Sequence, residues 1–144
     1  MSVSTILGGK GRAVVTVGPK DKVETVVKLL AEKKIGAVVV VNPAGTIMGI
    51  VSERDIVRHL ASDGAAMLAG SVDAIMTKNV RTAREQDGEA ELMALMTEHR
   101  IRHLPVVTNG KLVGMVSIGD VVKHRIAFIE RETEDIKAYI AGAA

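Results

Sequence analysis

The sequence predicts an α+β fold built from two β-α-β-β-α repeats packed about a pseudo-two-fold axis. A seven-residue stretch occurs twice, as GIVSERD at 49–55 and as GMVSIGD at 114–120. The surrounding chain repeats with it. A shift of 66 aligns Val14 with Val80, Thr16 with Thr82, Asp21 with Asp87, Leu29 with Leu95 and Ile35 with Ile101. After one residue is dropped in a turn, a shift of 65 aligns Gly49, Val51, Ser52, Asp55, Val57 and His59 with Gly114, Val116, Ser117, Asp120, Val122 and His124. Within each copy, short apolar runs alternate with helical spacing, which fixes the order of strands and helices.

Each copy opens on a short predicted strand, at 14–17 and 80–82. A helix follows, with Asp21 or Asp87 as its expected N-cap. In the first copy Val23, Val26, Val27 and Leu30 fall at i, i+3, i+4 and i+7, one apolar face; Leu92, Met93 and Met96 repeat three of those positions. The next strand, at 37–41 and 103–107, is too apolar to be half-exposed. Turns follow at 42–45 (NPAG) and at Asn109-Gly110, a two-residue hairpin signal. Then come the strand carrying the repeated motif and a final helix. The expected division is 1–70 for the first repeat with its lead-in and connector, 71–126 for the second, and 127–144 for a helical tail. The lead-ins match in character, with Val3, Ile6 and Leu7 answering Val72, Ile75 and Met76. The tail sets Ile129, Ile136 and Ile140 on one face, to cap the pair or meet a second subunit.

A repeat of about 60 residues is marginal alone, so two of them are expected to share a core. Hydrophobic residues make up 47% of the 144, with one Phe and one Tyr, so that core is aliphatic. The net charge of +2 lacks the excess expected of a general nucleic-acid binder, and two ring systems are too few for a base-stacking platform. Absence of cysteine excludes a disulfide framework. No stretch approaches the 18 apolar residues of a membrane span, and the start has no signal-peptide pattern. A soluble, cytoplasmic protein is expected.

The repeated motif places a glycine, two apolar residues, a serine and an aspartate where a strand turns into a helix. Ser-x-x-Asp at that junction is a capping box. Backbone amides at a helix start also favour an anion, and the glycine and nearby basic groups go beyond what a cap requires. The doubled motif, with its offset, resembles the CBS (cystathionine β-synthase) domain pair, or Bateman module, over residues 2–126. HRIRHLPVV at 99–107 is similar to the second copy of stand-alone bacterial pairs.

The resemblance implies a regulatory, non-enzymatic module that senses energy or redox state. Its ligands would be AMP, ADP, ATP, NAD or S-adenosylmethionine, bound in clefts between the copies, with a homodimer and an effector protein supplied in trans. Carried over to this chain, Asp55 and Asp120 would accept from ribose hydroxyls, and Ser52 and Ser117 would hold phosphate. Gly11, Arg12 and Ala13, and Lys78, Asn79 and Val80, would wall the opposite clefts. Ile35, Gly36 and Ala37, and Ile101, Arg102 and His103, would line adenine and phosphate, with Ile50 and Met115 as aliphatic walls. Arg54 against Gly119 in the motif, and Gly36-Ala37 against Arg102-His103 at the strand start, make the two sites unequal.

Other chemistries find less support. His99 and His103 stand four apart but straddle a helix-to-strand turn, with no third ligand at suitable spacing. GGKG at 8–11 is neither a P-loop nor a dinucleotide fingerprint, and no nucleophile elbow is present. The remaining alternative is a structural dimeric scaffold with no specific ligand.

Overall fold

A computed structural model describes residues 2–143. Ten elements run in the order α1 (Val3–Lys10), β1 (Thr16–Val17), α2 (Val23–Lys33), β2 (Ala37–Val41), β3 (Ile47–Ser52), α3 (Glu53–Asp63), α4 (Glu89–His99), β4 (His103–Thr108), β5 (Lys111–Ser117) and α5 (Ile118–Ala143), with two short 3-10 turns between α3 and α4. β1 pairs parallel to β2, and β2 antiparallel to β3; β4 and β5 form a separate antiparallel ribbon. Asn109 and Gly110 both adopt positive φ (52° and 75°), as the hairpin signal requires.

The expected strand at 80–82 does not form. In the first repeat the Val39 amide donates to the Val15 carbonyl (3.3 Å). The equivalent residue in the second repeat is Pro105, which has no N–H to donate. Only Ala83 bridges to β4, donating to the Pro105 carbonyl and accepting from the Val107 amide. Asp21 and Asp87 do not cap α2 and α4 either. Each instead closes the turn ahead of its helix, accepting from the Gly18 and Arg84 amides respectively, both at 2.8 Å.

The apolar core forms two clusters, and the lead-ins cross between them. Val72 and Ile75, with Met67 from the connector, pack among Val23, Val26, Leu30, Val38, Val40 and Val51 of the first repeat. Val3, Ile6 and Leu7 pack among Leu92, Met96, Leu104, Val106 and Val116 of the second. The crossing is tied by backbone bonds: Val72 donates to the Asp21 carbonyl (2.8 Å) and Val3 to that of Asp87 (2.9 Å). Each repeat is thus completed by a segment that precedes the other in sequence, a packing the boundary at 70/71 does not anticipate. The motif helix of the second repeat and the tail are one helix, α5, of 26 residues. Among the described residues no helix is long and apolar enough to cross a membrane.

Candidate functional site

Two clefts lie between the repeats. The larger, about 350 Å³, is centred on the N-terminus of α3. Ser52 and Asp55 form a complete capping box there: the Ser52 amide donates to Asp55 Oδ2 (2.9 Å), and the Asp55 amide donates to Ser52 Oγ (3.3 Å). Asp55 is buried. Its Oδ1 accepts from Arg58 (2.7 Å) and from Thr77 Oγ1 (3.4 Å), so the second repeat's lead-in reaches the first repeat's motif. Ile50, Val80 and Ile101 supply aliphatic walls, and Arg54, Arg58, Arg81, Arg100 and Arg102 line the rim and floor. Among the described residues only Arg58 of these five is in an ion pair. Four guanidinium groups therefore border one cleft without a carboxylate partner, an arrangement suited to a phosphate.

The smaller cleft, about 250 Å³, is centred on the N-terminus of α5. Ser117 and Asp120 repeat the cap, with the Ser117 amide on Asp120 Oδ2 (2.9 Å) and the Asp120 amide on Ser117 Oγ (3.1 Å). Lys10, at the end of α1, donates to Asp120 Oδ2 (2.5 Å) and to the Met115 carbonyl (2.8 Å). Burial pushes the Asp120 carboxyl up, but the bonds from Lys10 and Ser117 outweigh it and hold the group below the ordinary carboxylate range. Ala13, Val15, Ile35, Ala37 and Met115 line the rest.

Gly36 and His103 border both clefts. A Cβ on Gly36 would lie 2.9 Å from the His103 ring, so the glycine makes room for the imidazole dividing the two spaces. Burial holds the His103 pKa below its ordinary value, helped by Lys10 and Arg102 and opposed by Asp120 and Glu53.

The motif glycines have a packing role. A Cβ on Gly49 would lie 2.6 Å from Met76 Sδ and 2.9 Å from the Thr77 carbonyl oxygen; one on Gly114 would meet the Leu7 methyls at 2.8 and 2.9 Å. Each glycine lets the crossing lead-in press against the motif strand, so a glycine beyond the needs of the cap does not by itself point to a ligand.

Of the residues singled out from sequence, Gly36, Ile50, Ser52, Arg54, Asp55, Asn79, Val80, Ile101, Arg102 and His103 border the larger cleft. Ala13, Ile35, Ala37, Met115, Ser117 and Asp120 border the smaller. Gly11, Arg12, Lys78 and Gly119 border neither. Arg12 instead pairs with Glu85 (2.5 Å), whose carboxyl is held low by that bond and by one from Thr108. Thr77, Arg58 and the pairing of Lys10 with Asp120 carry no motif of their own; only the crossing of the lead-ins brings Thr77 and Lys10 to the clefts.

The CBS-domain family profile matches residues 11–62 and 72–127. A mitochondrial CBS domain-containing protein of Arabidopsis thaliana is 33% identical over 149 residues, covering 98% of this chain and 72% of that protein. Relatives from Methanopyrus kandleri and Acidianus ambivalens are 34% and 32% identical, and the chain spans 64% and 66% of their lengths. Among solved structures, a CBS-domain containing protein from Agrobacterium tumefaciens superposes with a TM-score of 0.84 at 48% identity, over 86% of this chain and 92% of that one. A CBS domain protein from Pyrobaculum aerophilum, complexed with AMP, superposes with a TM-score of 0.78 at 29% identity, over 92% and 99%.

Proposed function

Since the chain belongs to the CBS-domain family, we propose that it is a regulatory module, without catalytic turnover, that binds an adenine nucleotide in the larger cleft. The carrying observation is the set of four unpaired arginines beside the capped Asp55. The AMP complex of the Pyrobaculum aerophilum protein supports the ligand class. A volume of about 350 Å³ lies within the range of small-ligand sites, roughly 300–1,000 Å³, whereas 250 Å³ falls below it. Ile50 and Ile101 sandwich the adenine in place of aromatic rings. Asp55 takes a ribose hydroxyl on the Oδ1 side, where Arg58 and Thr77 now donate. Ser52 is occupied by its cap, so the phosphates fall to Arg54, Arg81, Arg100 and Arg102.

The smaller cleft is held shut by Lys10, which satisfies the carboxylate and the carbonyl that a nucleoside would use. The module acts as a homodimer, and ligand changes its output by favouring one arrangement of the repeats, which an effector in trans reads. Such a shift requires the ligand to prefer one arrangement over the other. AMP, ADP, ATP and NAD are compatible with the same walls, and sensing of energy or redox state depends on which of them binds.

A thermal-shift series with each of the four nucleotides tests the reading. A ligand that binds only the folded chain adds about 2.7 kcal/mol at a concentration of 100 Kd, so Tm should climb with concentration for at least one nucleotide. A Tm unmoved by all four at millimolar concentration overturns the proposal in favour of a ligand-free scaffold.

A further inference from the structure

The C-terminal half of α5 extends beyond the matched family region, which ends at residue 127. Along α5, Val122, Ile126, Ile129, Thr133, Ile136 and Ile140 are spaced 4, 3, 4, 3 and 4 residues apart. That is a heptad seam with Ile126, Thr133 and Ile140 at a, and Val122, Ile129 and Ile136 at d. The five aliphatic members are 47–63% exposed, so the seam is unpartnered within the chain. Thr133 donates its hydroxyl to the Ile129 carbonyl of its own helix (3.0 Å), so covering it strands no donor.

The flanking charges select the occupant. Lys123, Glu130 and Lys137 fall at e, and Arg125 and Glu132 at g. In a parallel pair of identical helices, g of one faces the following e of the other, which sets Arg125 against Glu130 and Glu132 against Lys137. In the antiparallel pair that aligns the whole seam, e faces e and g faces g, which sets Glu130 against Glu130, Lys123 against Lys137 and Glu132 against Glu132. The first arrangement attracts at both pairs; the second repels at all three. Within the chain both cations make only exposed or long contacts, Arg125 with Glu89 (4.0 Å) and over the Phe128 ring (5.7 Å), and Lys137 with Glu134 (3.7 Å), so either can turn to a second copy.

We propose that this face of α5 is the seam along which a second copy of the chain packs, in a parallel two-stranded coiled coil in register. The inference rests on the homodimer proposed above and adds its contact surface and orientation. Isoleucine at both a and d by itself shifts a coiled coil toward three or four strands, so the two-stranded state rests on the flanking charges, and the full chain is the species to measure.

The chain has no cysteine, so a single Ile136→Cys variant reports orientation. In the parallel arrangement the two introduced thiols face each other across the seam within disulfide reach. In the antiparallel one, position 136 faces position 126. Light scattering on the eluting full chain should give a dimer for the wild type. Ile129→Lys/Ile136→Lys should weaken association at least tenfold while leaving Tm at monomer concentrations and circular dichroism unchanged. Oxidised Ile136→Cys should run as a covalent dimer. A monomeric or trimeric wild type, a dimer insensitive to the double lysine variant, or crosslinking that needs Ile126→Cys together with Ile136→Cys overturns the proposal. All three readouts are made without nucleotide, so they fail or succeed separately from the ligand reading.

Discussion

Lys10 Nζ lies 2.5 Å from Asp120 Oδ2 and 2.8 Å from the Met115 carbonyl oxygen, spanning the smaller cleft from the end of α1. In the larger cleft the equivalent aspartate, Asp55, pairs with Arg58 of its own helix, and what reaches it from the crossing lead-in is Thr77, a neutral donor. Lys10→Met should therefore have two effects. Calorimetric stoichiometry for AMP should rise from one to two per chain. The second effect is on acid stability. The folded Asp120 pKa lies below the ordinary value of about 3.9, so its stabilisation is present above that value and lost as pH falls through the lower folded one. The variant should lose part of it, about 1 kcal/mol or less for a partly exposed pair. A stoichiometry that stays at one in Lys10→Met contradicts the closed-cleft assignment.

The arginines of the larger cleft should act on phosphate. Arg81→Ala and Arg102→Ala should each weaken AMP binding by roughly 1.5–3 kcal/mol, the usual worth of a hydrogen bond to a charged group. Neither should much disturb folding, because neither is in an ion pair among the described residues. Adenosine, which lacks phosphate, should be insensitive to both. Equal losses for adenosine and AMP would place these residues elsewhere.

The two motif glycines should differ in cost. At Gly49 an added Cβ meets a backbone carbonyl, Thr77 O, at 2.9 Å; at Gly114 it meets only side-chain atoms, those of the buried Leu7, which can shift where a backbone carbonyl cannot. Gly49→Ala should cost about 1–3 kcal/mol as overpacking, and Gly114→Ala less. Urea denaturation gives both values, and a reversed order would refute the crossing contact as the reason for glycine.

Much of this was legible in the sequence, because a duplication shows which elements recur. The doubled S-x-x-D motif gave both caps, and Asn109-Gly110 the hairpin. The aliphatic runs at 37–41 and 103–107 fixed the central strands. Sequence periodicity shows that Val3, Ile6 and Leu7 are apolar but not which core receives them. Crossing lead-ins therefore stayed invisible, and with them the places of Lys10 and Thr77. Pro105 did carry a readable signal: a proline opposite the expected strand at 80–82 removes a ladder donor, which leaves only the Ala83 bridge. Asp21 and Asp87 precede their helices as a cap would, but the Gly18 and Arg84 amides capture their side chains.

His103 should make stability depend on pH on the acid side of neutrality. Burial, with Lys10 and Arg102, lowers its folded pKa against the opposing pull of Asp120 and Glu53. The unfolded chain then takes up a proton near pH 6.5 while the folded one resists. Stability should fall as pH drops below about 6.5, until the folded value is passed. His103→Gln should flatten that slope in thermal melts between pH 7.5 and 5.5. A wild type that gains stability over that range would mean the imidazole is charged in the fold.

The central claim is that a nucleotide lodges at the capped start of α3, against Asp55. Calorimetric titration of AMP into the wild type, Asp55→Ala and Asp120→Ala tests it most directly. Removing the Asp55 side chain breaks the capping box and strands the Ser52 amide, so it should cost about 1–3 kcal/mol of stability and reduce AMP affinity at least tenfold, while Asp120→Ala leaves that affinity within a factor of about two. AMP binding that persists undiminished in Asp55→Ala would contradict the account.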